Sequence, residues 1–132
     1  MSIRPQYANK IFDGSKTVEL RRIKPKFLGN GDLVFIYVSS PVKSLLGAFV
    51  VSSVVEKPLA SLWNAVRNRA GISKAEFLNY YVGAQFGVAI FIKDVWLLHK
   101  PIHLTDLKRQ VKDFHPPQSY RYTSIQYINN ID

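Results

Sequence analysis

The sequence contains no cysteine. That absence excludes a disulfide scaffold, thiolate zinc sites and thiol catalysis together. No apolar run approaches the ~18–20 residues that span a bilayer, so no membrane partner is expected. The opening Met1-Ser2-Ile3-Arg4-Pro5 lacks the hydrophobic core of a signal peptide, which makes the cytoplasm the expected location. Acidic residues are scarce: 9 stand against 18 Lys and Arg, for a net charge of +9. Such an excess predicts an anionic partner, with nucleic acid or a nucleotide first. Surface charge that only keeps the protein soluble is the plainer reading. What is present is core material. Apolar residues make up 47% and aromatics 13% of 132 residues, which suits one folded domain over 1–132 and excludes wholesale disorder. There is no linker, internal repeat or low-complexity tract.

Periodicity gives a coarse element map. Pro5 to Phe12 places Tyr7, Ala8, Ile11 and Phe12 on one helical stripe, with Pro5 in the first turn and Gly14 past the end. Thr17-Val18-Glu19-Leu20-Arg21 alternates like a half-buried strand, Val18 and Leu20 facing the core. Gly29-Asn30-Gly31-Asp32 is a turn leading into a strand at Leu33–Val38, which Ser39-Ser40-Pro41 breaks. Leu45 to Val55 and Phe86 to Leu98 read as longer strands rich in Val, Ile, Phe and Trp. Between them lie two helical patterns, Leu59–Arg69 and one opened by Ser73, whose Glu76 three residues on completes a capping box. Thr105 is positioned to cap a last helix through Lys112. Trp63 and Trp96 sit on apolar stripes and are expected in the core.

Long strands interrupted by a helical pair do not alternate as βαβ units. The expectation is an α+β domain: a small, mostly antiparallel barrel or strongly curled sheet with flanking helices. A half-open barrel of this size holds one small ligand or base at its mouth.

Polar functional groups are densest at Gly14-Ser15-Lys16-Thr17-Val18-Glu19-Leu20-Arg21-Arg22. Lys16 lies at the entry to the strand. Glu19 and Arg21 are two apart on it and leave from the same face. An ammonium, a carboxylate and a guanidinium brought together can hold a phosphate through Lys16 and Arg21 while Glu19 accepts from a base amino group. The same trio can transfer protons if burial tunes Lys16 or Glu19 towards neutral pH. The competing reading is a solvated strand face with a Glu–Arg pair contributing under ~1 kcal/mol.

Gly14-x-Lys16-x-x-Glu19-x-Arg21 resembles the G-x-K-x-x-E-x-R pattern of the ASCH domain family, within the wider PUA-like group. Ser2-Ile3-Arg4-Pro5 with Tyr7-Ala8 resembles that family's opening. Gly31-Asp32 with Phe35-Ile36-Tyr37, and Gly47-Ala48-Phe49, resemble its next strands, and Pro116 to Tyr122 the tail of one subgroup. The resemblance implies a PUA-like β-barrel with flanking helices and a cleft lined by the pattern, in a family linked to RNA. Some bacterial members are similar to amidohydrolases acting on N4-acetylcytidine, and others have been described as ribonucleases. In the amidohydrolase branch the lysine matching Lys16 is held to be catalytic, and a threonine stands where this chain has Glu19. The implied function is therefore recognition of RNA, or of a modified base, nucleoside or nucleotide, through Lys16, Glu19 and Arg21. The alternative is a hydrolase or ribonuclease using Lys16 and Glu19 catalytically. A protein-interaction module is a third reading, because such folds are widely reused.

Arg4, by the same resemblance, lies near the cleft. Ser39 and Ser40 follow a strand and can line the pocket, although a simple turn is the plainer role. Tyr120, Arg121 and Tyr122 can stack a base and contact a phosphate, or pack as a closing strand. Arg67 to Arg69, with Lys108, Arg109 and Lys112, can extend a phosphate track or form solvated helix faces. His99 and His103 are four apart, but Pro101 between them opposes a regular helix, so no metal site is expected. No phosphate-cradling glycine loop or nucleophile elbow occurs, and no cofactor is expected.

Overall fold

The computed structural model describes residues 1–110. Tyr120, Arg121, Tyr122 and Lys112 lie outside the described residues. The chain runs β1 (Ser2–Ile3), α1 (Pro5–Phe12), β2 (Val18–Arg21), β3 (Leu33–Val38), β4 (Ser44–Pro58), α2 (Leu59–Val66), α3 (Lys74–Tyr80), β5 (Phe86–His103) and α4 (Leu104–Gln110). Its five strands form one mixed sheet in the order β1-β3-β4-β5-β2. Only the β1–β3 pairing is parallel; the other three are antiparallel.

The long strands are bent rather than flat. Register shifts interrupt β4 against β5 between Leu45 and Gly47, Val50 and Val51, and Val51 and Ser53. Bulges of this kind raise the local twist and curl the sheet. Curling stops short of closure: among the described residues β1 and β2 remain two separate edges, so the expected barrel is an open, curled sheet. Both edges are short and that of β2 is covered, which opposes edge-to-edge pairing. On β2 the Thr17 amide donates to the Arg69 carbonyl at 2.9 Å, and the Tyr80 and Tyr81 hydroxyls donate to the Leu20 and Arg21 carbonyls at 3.3 and 3.0 Å. The two-residue β1 has no pattern of its own to announce it. It forms because Met1, Ser2 and Ile3 add to the rim of β3.

Helices pack on the sheet in separate clusters. α1 buries Ala8 and Ile11 against Ile36, Phe49, Val51 and Ile90. The pair α2–α3 buries Leu62, Val66, Phe77 and Tyr81 against Val18, Leu20 and Ala89. α4 sets Leu107 against Leu45, Leu98 and Ile102. The Ser73 capping box forms in full: its hydroxyl accepts from the Glu76 amide at 3.1 Å, and Glu76 Oε1 accepts from the Ser73 amide at 3.2 Å.

Three local expectations need correction. Thr105 does not cap α4, which begins at Leu104; instead His103 Nδ1 accepts from the Thr105 amide at 3.2 Å. Trp96 is 43% exposed and is not a core residue, although Ala48, its register partner on β4, is fully buried. Trp63 is partly buried against Phe77, ring centroids 5.0 Å apart. His99 and His103 lie on β5, where Pro101 is accommodated within the strand rather than in a helix.

Candidate functional site

β1, the start of α1, β2, the end of β3 and α3 surround a cleft of about 770 Å3. Arg4, Lys16, Glu19, Arg21, Ser39 and Ser40 all line it. Each arrives by a local device. The αL glycine Gly14, at φ 85°, ends α1 and turns the chain so that Lys16 enters beside β2. Pairing with β5 over Val18–Arg21 fixes the alternation that sends Glu19 and Arg21 to the cleft side. Arg4 caps α1 at the rim, and Ser39 and Ser40 lie in the turn that leaves β3. Both serines thus belong to a turn and border the cleft.

The strand face carrying Glu19 is not solvated. Lys16 is 2% and Glu19 7% exposed. Glu19 joins the two cations: its Oε1 is 3.7 Å from Lys16 Nζ and its Oε2 3.5 Å from Arg21 Nη2. Lys16 Nζ also donates to the Ala70 carbonyl at 2.8 Å and stands 5.8 Å from the centroid of the Tyr7 ring. Arg21 Nη2 donates to the Ser2 carbonyl at 3.0 Å. Burial penalises the ammonium and pulls the Lys16 pKa below its ordinary value, while the neighbouring Glu19 carboxylate opposes that shift. Burial likewise raises the Tyr80 phenol, which lines the cleft from α3. A buried lysine with a depressed pKa beside a carboxylate can give or take a proton; a guanidinium next to both can hold a phosphate.

Sequence reasoning placed several lining residues elsewhere. Tyr7 was readable as an apolar stripe member and Tyr37 as part of a strand, yet both line the cleft, as do Tyr80, Lys43 and Asn79. Lys43 carries a weak signal, since it sits after Ser39-Ser40-Pro41, where a tight turn is expected; its φ is 50°. Conversely, Arg69 does not line the cleft. Its Nε donates to Thr17 Oγ1 at 2.9 Å, and its guanidinium lies 4.7 Å from the Phe91 centroid. Lys108 and Arg109 are exposed on α4, and Arg109 pairs with Asp106 at 3.7 Å. Neither lines the cleft. Among the described residues, no group of three or more His, Asp or Glu is placed to hold a metal ion.

Comparison with known proteins follows the same residues. The family model of the ASCH domain matches residues 1–108. A Zymomonas mobilis protein named an ASCH domain-containing ribonuclease is 32% identical over 119 residues, 90% of this chain and 79% of that one. The crystal structure of ASCH from Zymomonas mobilis superposes with a TM-score of 0.92 at 29% identity, covering 98% of this chain and 90% of that chain. The fold is therefore the α+β, PUA-like architecture of those structures. The large ribosomal subunit protein uL22 of Ureaplasma parvum matches 80% of this chain at 29% identity, and the chain spans 34% of that protein.

Proposed function

The chain belongs to the ASCH domain family, and from that premise we propose that its cleft binds single-stranded RNA by seating one base or nucleotide against Lys16, Glu19 and Arg21. An RNA-related function is supported at the coarse level by family membership and by the ribonuclease-named relative. The finer reading rests on one observation: three charged groups, all largely buried, meet at the wall of a concavity large enough for a nucleotide. Folds tolerate buried charge where it is paired and hydrogen-bonded. Here the partners are a carboxylate and two backbone carbonyls, so the cations stay fixed and ready for an anionic ligand. Tyr7 and Tyr80 supply aromatic faces in the same cleft, and bases stack on such faces.

The test compares cleft with surface. Arg21→Gln should weaken binding of short RNAs by about 10–100-fold, since a charge-assisted hydrogen bond in a desolvated site is worth ~1.5–3 kcal/mol. Lys108→Ala, on exposed α4, should cost less than about threefold, because an exposed phosphate contact is screened. Equal losses from the two variants would refute the reading.

A second reading has a specific observation behind it. The lowered pKa of Lys16, set by burial and moderated by Glu19, is what proton transfer needs, and the relative at 32% identity is named a ribonuclease. In that case the neutral amine of Lys16 takes the proton of a ribose 2′-hydroxyl as that oxygen bonds to the adjacent phosphorus, the bond from phosphorus to the 5′-oxygen breaks, solvent protonates the departing oxygen, and Arg21 holds the phosphate. Incubation with short RNAs followed by mass spectrometry separates the readings. Product that Lys16→Ala abolishes supports cleavage; binding without product supports recognition alone.

A further inference from the structure

Beside the cleft lies a second depression of about 420 Å3, lined by Lys10, Ser15, Arg67 and Asn68. Ile72 and Glu76 line both concavities, so the two adjoin across a saddle made by these residues. The turn at Ala70–Gly71 forms the wall between them. Its consecutive carbonyls each accept a lysine: Lys16 Nζ, on the cleft side, donates to Ala70 at 2.8 Å, and Lys10 Nζ, on the depression side, donates to Gly71 at 2.6 Å. Arg67 is exposed, at the C-cap of α2, and only its backbone amide is used in ending the helix.

Charge follows the same path. The two concavities are lined by Arg4, Lys10, Lys16, Arg21, Lys43 and Arg67 against the carboxylates of Glu19 and Glu76. Glu76 uses one carboxylate oxygen in the capping box of α3 and keeps its charge, but cations lie on either side of the saddle and outnumber it. A mononucleotide would leave the second depression unused. We infer that the ligand is a strand, its base in the cleft and its sugar-phosphate backbone continuing over the Ile72–Glu76 saddle, with the next phosphate held by Arg67 and Lys10. The depression is then a phosphate subsite that makes the protein select oligonucleotides over free nucleosides and nucleotides. This inference rests on the RNA-binding reading of the cleft.

The experiment measures affinity for nucleoside 3′-monophosphates and for single-stranded RNAs of two, three and four nucleotides, across a salt series. In the unaltered protein, affinity should rise at least tenfold from the mononucleotide to the trinucleotide. Arg67→Glu should abolish that increment, leave the mononucleotide affinity unchanged, and lower the log–log salt slope for the trinucleotide by about 0.7, the value for one lost phosphate on a single strand. Arg67→Ala, which adds no repulsion, should give the same slope change with a smaller loss. Affinity independent of length, or an increment that survives Arg67→Glu, overturns the inference and leaves the cleft reading standing. Mononucleotide binding that ignores Arg21→Gln, or no RNA binding at any length, overturns the cleft reading and this inference with it.

Discussion

Glu19→Gln keeps the shape of a side chain and removes its charge, leaving two cations without their counterion. Two limits bracket the effect on stability. An exposed ion pair contributes about 0.2–1 kcal/mol, whereas a buried pair that loses one partner costs about 3–5 kcal/mol. The side chains of Lys16, Glu19 and Arg21 are 3%, 9% and 13% exposed, close to the second limit. An escape caps the loss, because Lys16 can release its proton. From an ordinary value of 10.5, release costs about 1.4 kcal/mol per pH unit, hence about 5 kcal/mol at pH 7 and about 2 kcal/mol at pH 9. We therefore expect Glu19→Gln to destabilise the fold by about 2–4 kcal/mol at pH 7, or roughly 10 °C in Tm. The pH dependence has a definite sign. With its pKa depressed in the folded chain, Lys16 binds fewer protons there than when unfolded, so stability rises with pH from the folded value up to 10.5. Removing Glu19 removes what opposes the depression, so the variant should gain more from alkaline pH than the parent does. Circular-dichroism melts and urea titrations at pH 7 and pH 9 would measure the gap. A loss under about 0.5 kcal/mol, or one identical at both pH values, would show a solvated triad and refute the reasoning.

Gly71→Ala should disturb both concavities together. At φ 68° an added Cβ is strained, and it would lie 3.2 Å from Lys16 Cβ and 3.3 Å from Lys10 Cδ. About 1–2 kcal/mol of backbone cost should come with weaker RNA binding in a filter or anisotropy assay; unchanged affinity would uncouple the turn from the site. Ser73→Ala removes the hydroxyl that caps α3 and should cost about 1 kcal/mol in urea titration.

The element map was legible where local rules act alone. Pro5 and Gly14 bracket α1, Ser73 and Glu76 start α3, and the β-rich run Leu33–Val38 lies between turns, and each forms as read. What failed was decided by distant neighbours. β1 is two residues long and exists only through β3. Closure of the sheet depends on how far the bulges of β4 curl it, which no alternation pattern records. Trp96 satisfies an apolar pattern, yet it is 43% exposed, because a strand pattern does not record which positions other elements pack over. Thr105 has the right chemistry for a cap, but α4 starts one residue earlier, at Leu104, so Thr105 lies inside the helix; this miss is local.

The candidate site shows the same division more sharply. Period two correctly set Glu19 and Arg21 on one face of β2, but periodicity reports which way a side chain leaves, not what lies above it. Whether Lys16, Glu19 and Arg21 form a solvated strand face or a charged pocket depends on groups far along the chain. The Ala70 carbonyl that holds Lys16 is 54 residues away, and the Tyr80 and Tyr81 hydroxyls that cover the edge of β2 are each 60 residues from their acceptors. Those contacts exclude water, turn a weak surface pair into a costly buried one, and fix its cations before any ligand arrives. An anionic ligand that meets Lys16 and Arg21 therefore meets groups already desolvated and held. The energy that assembles the site is supplied by packing α2 and α3 onto the sheet. Function and stability are consequently coupled at Glu19, where a single charge keeps the buried lysine tolerable and the cleft ready to bind.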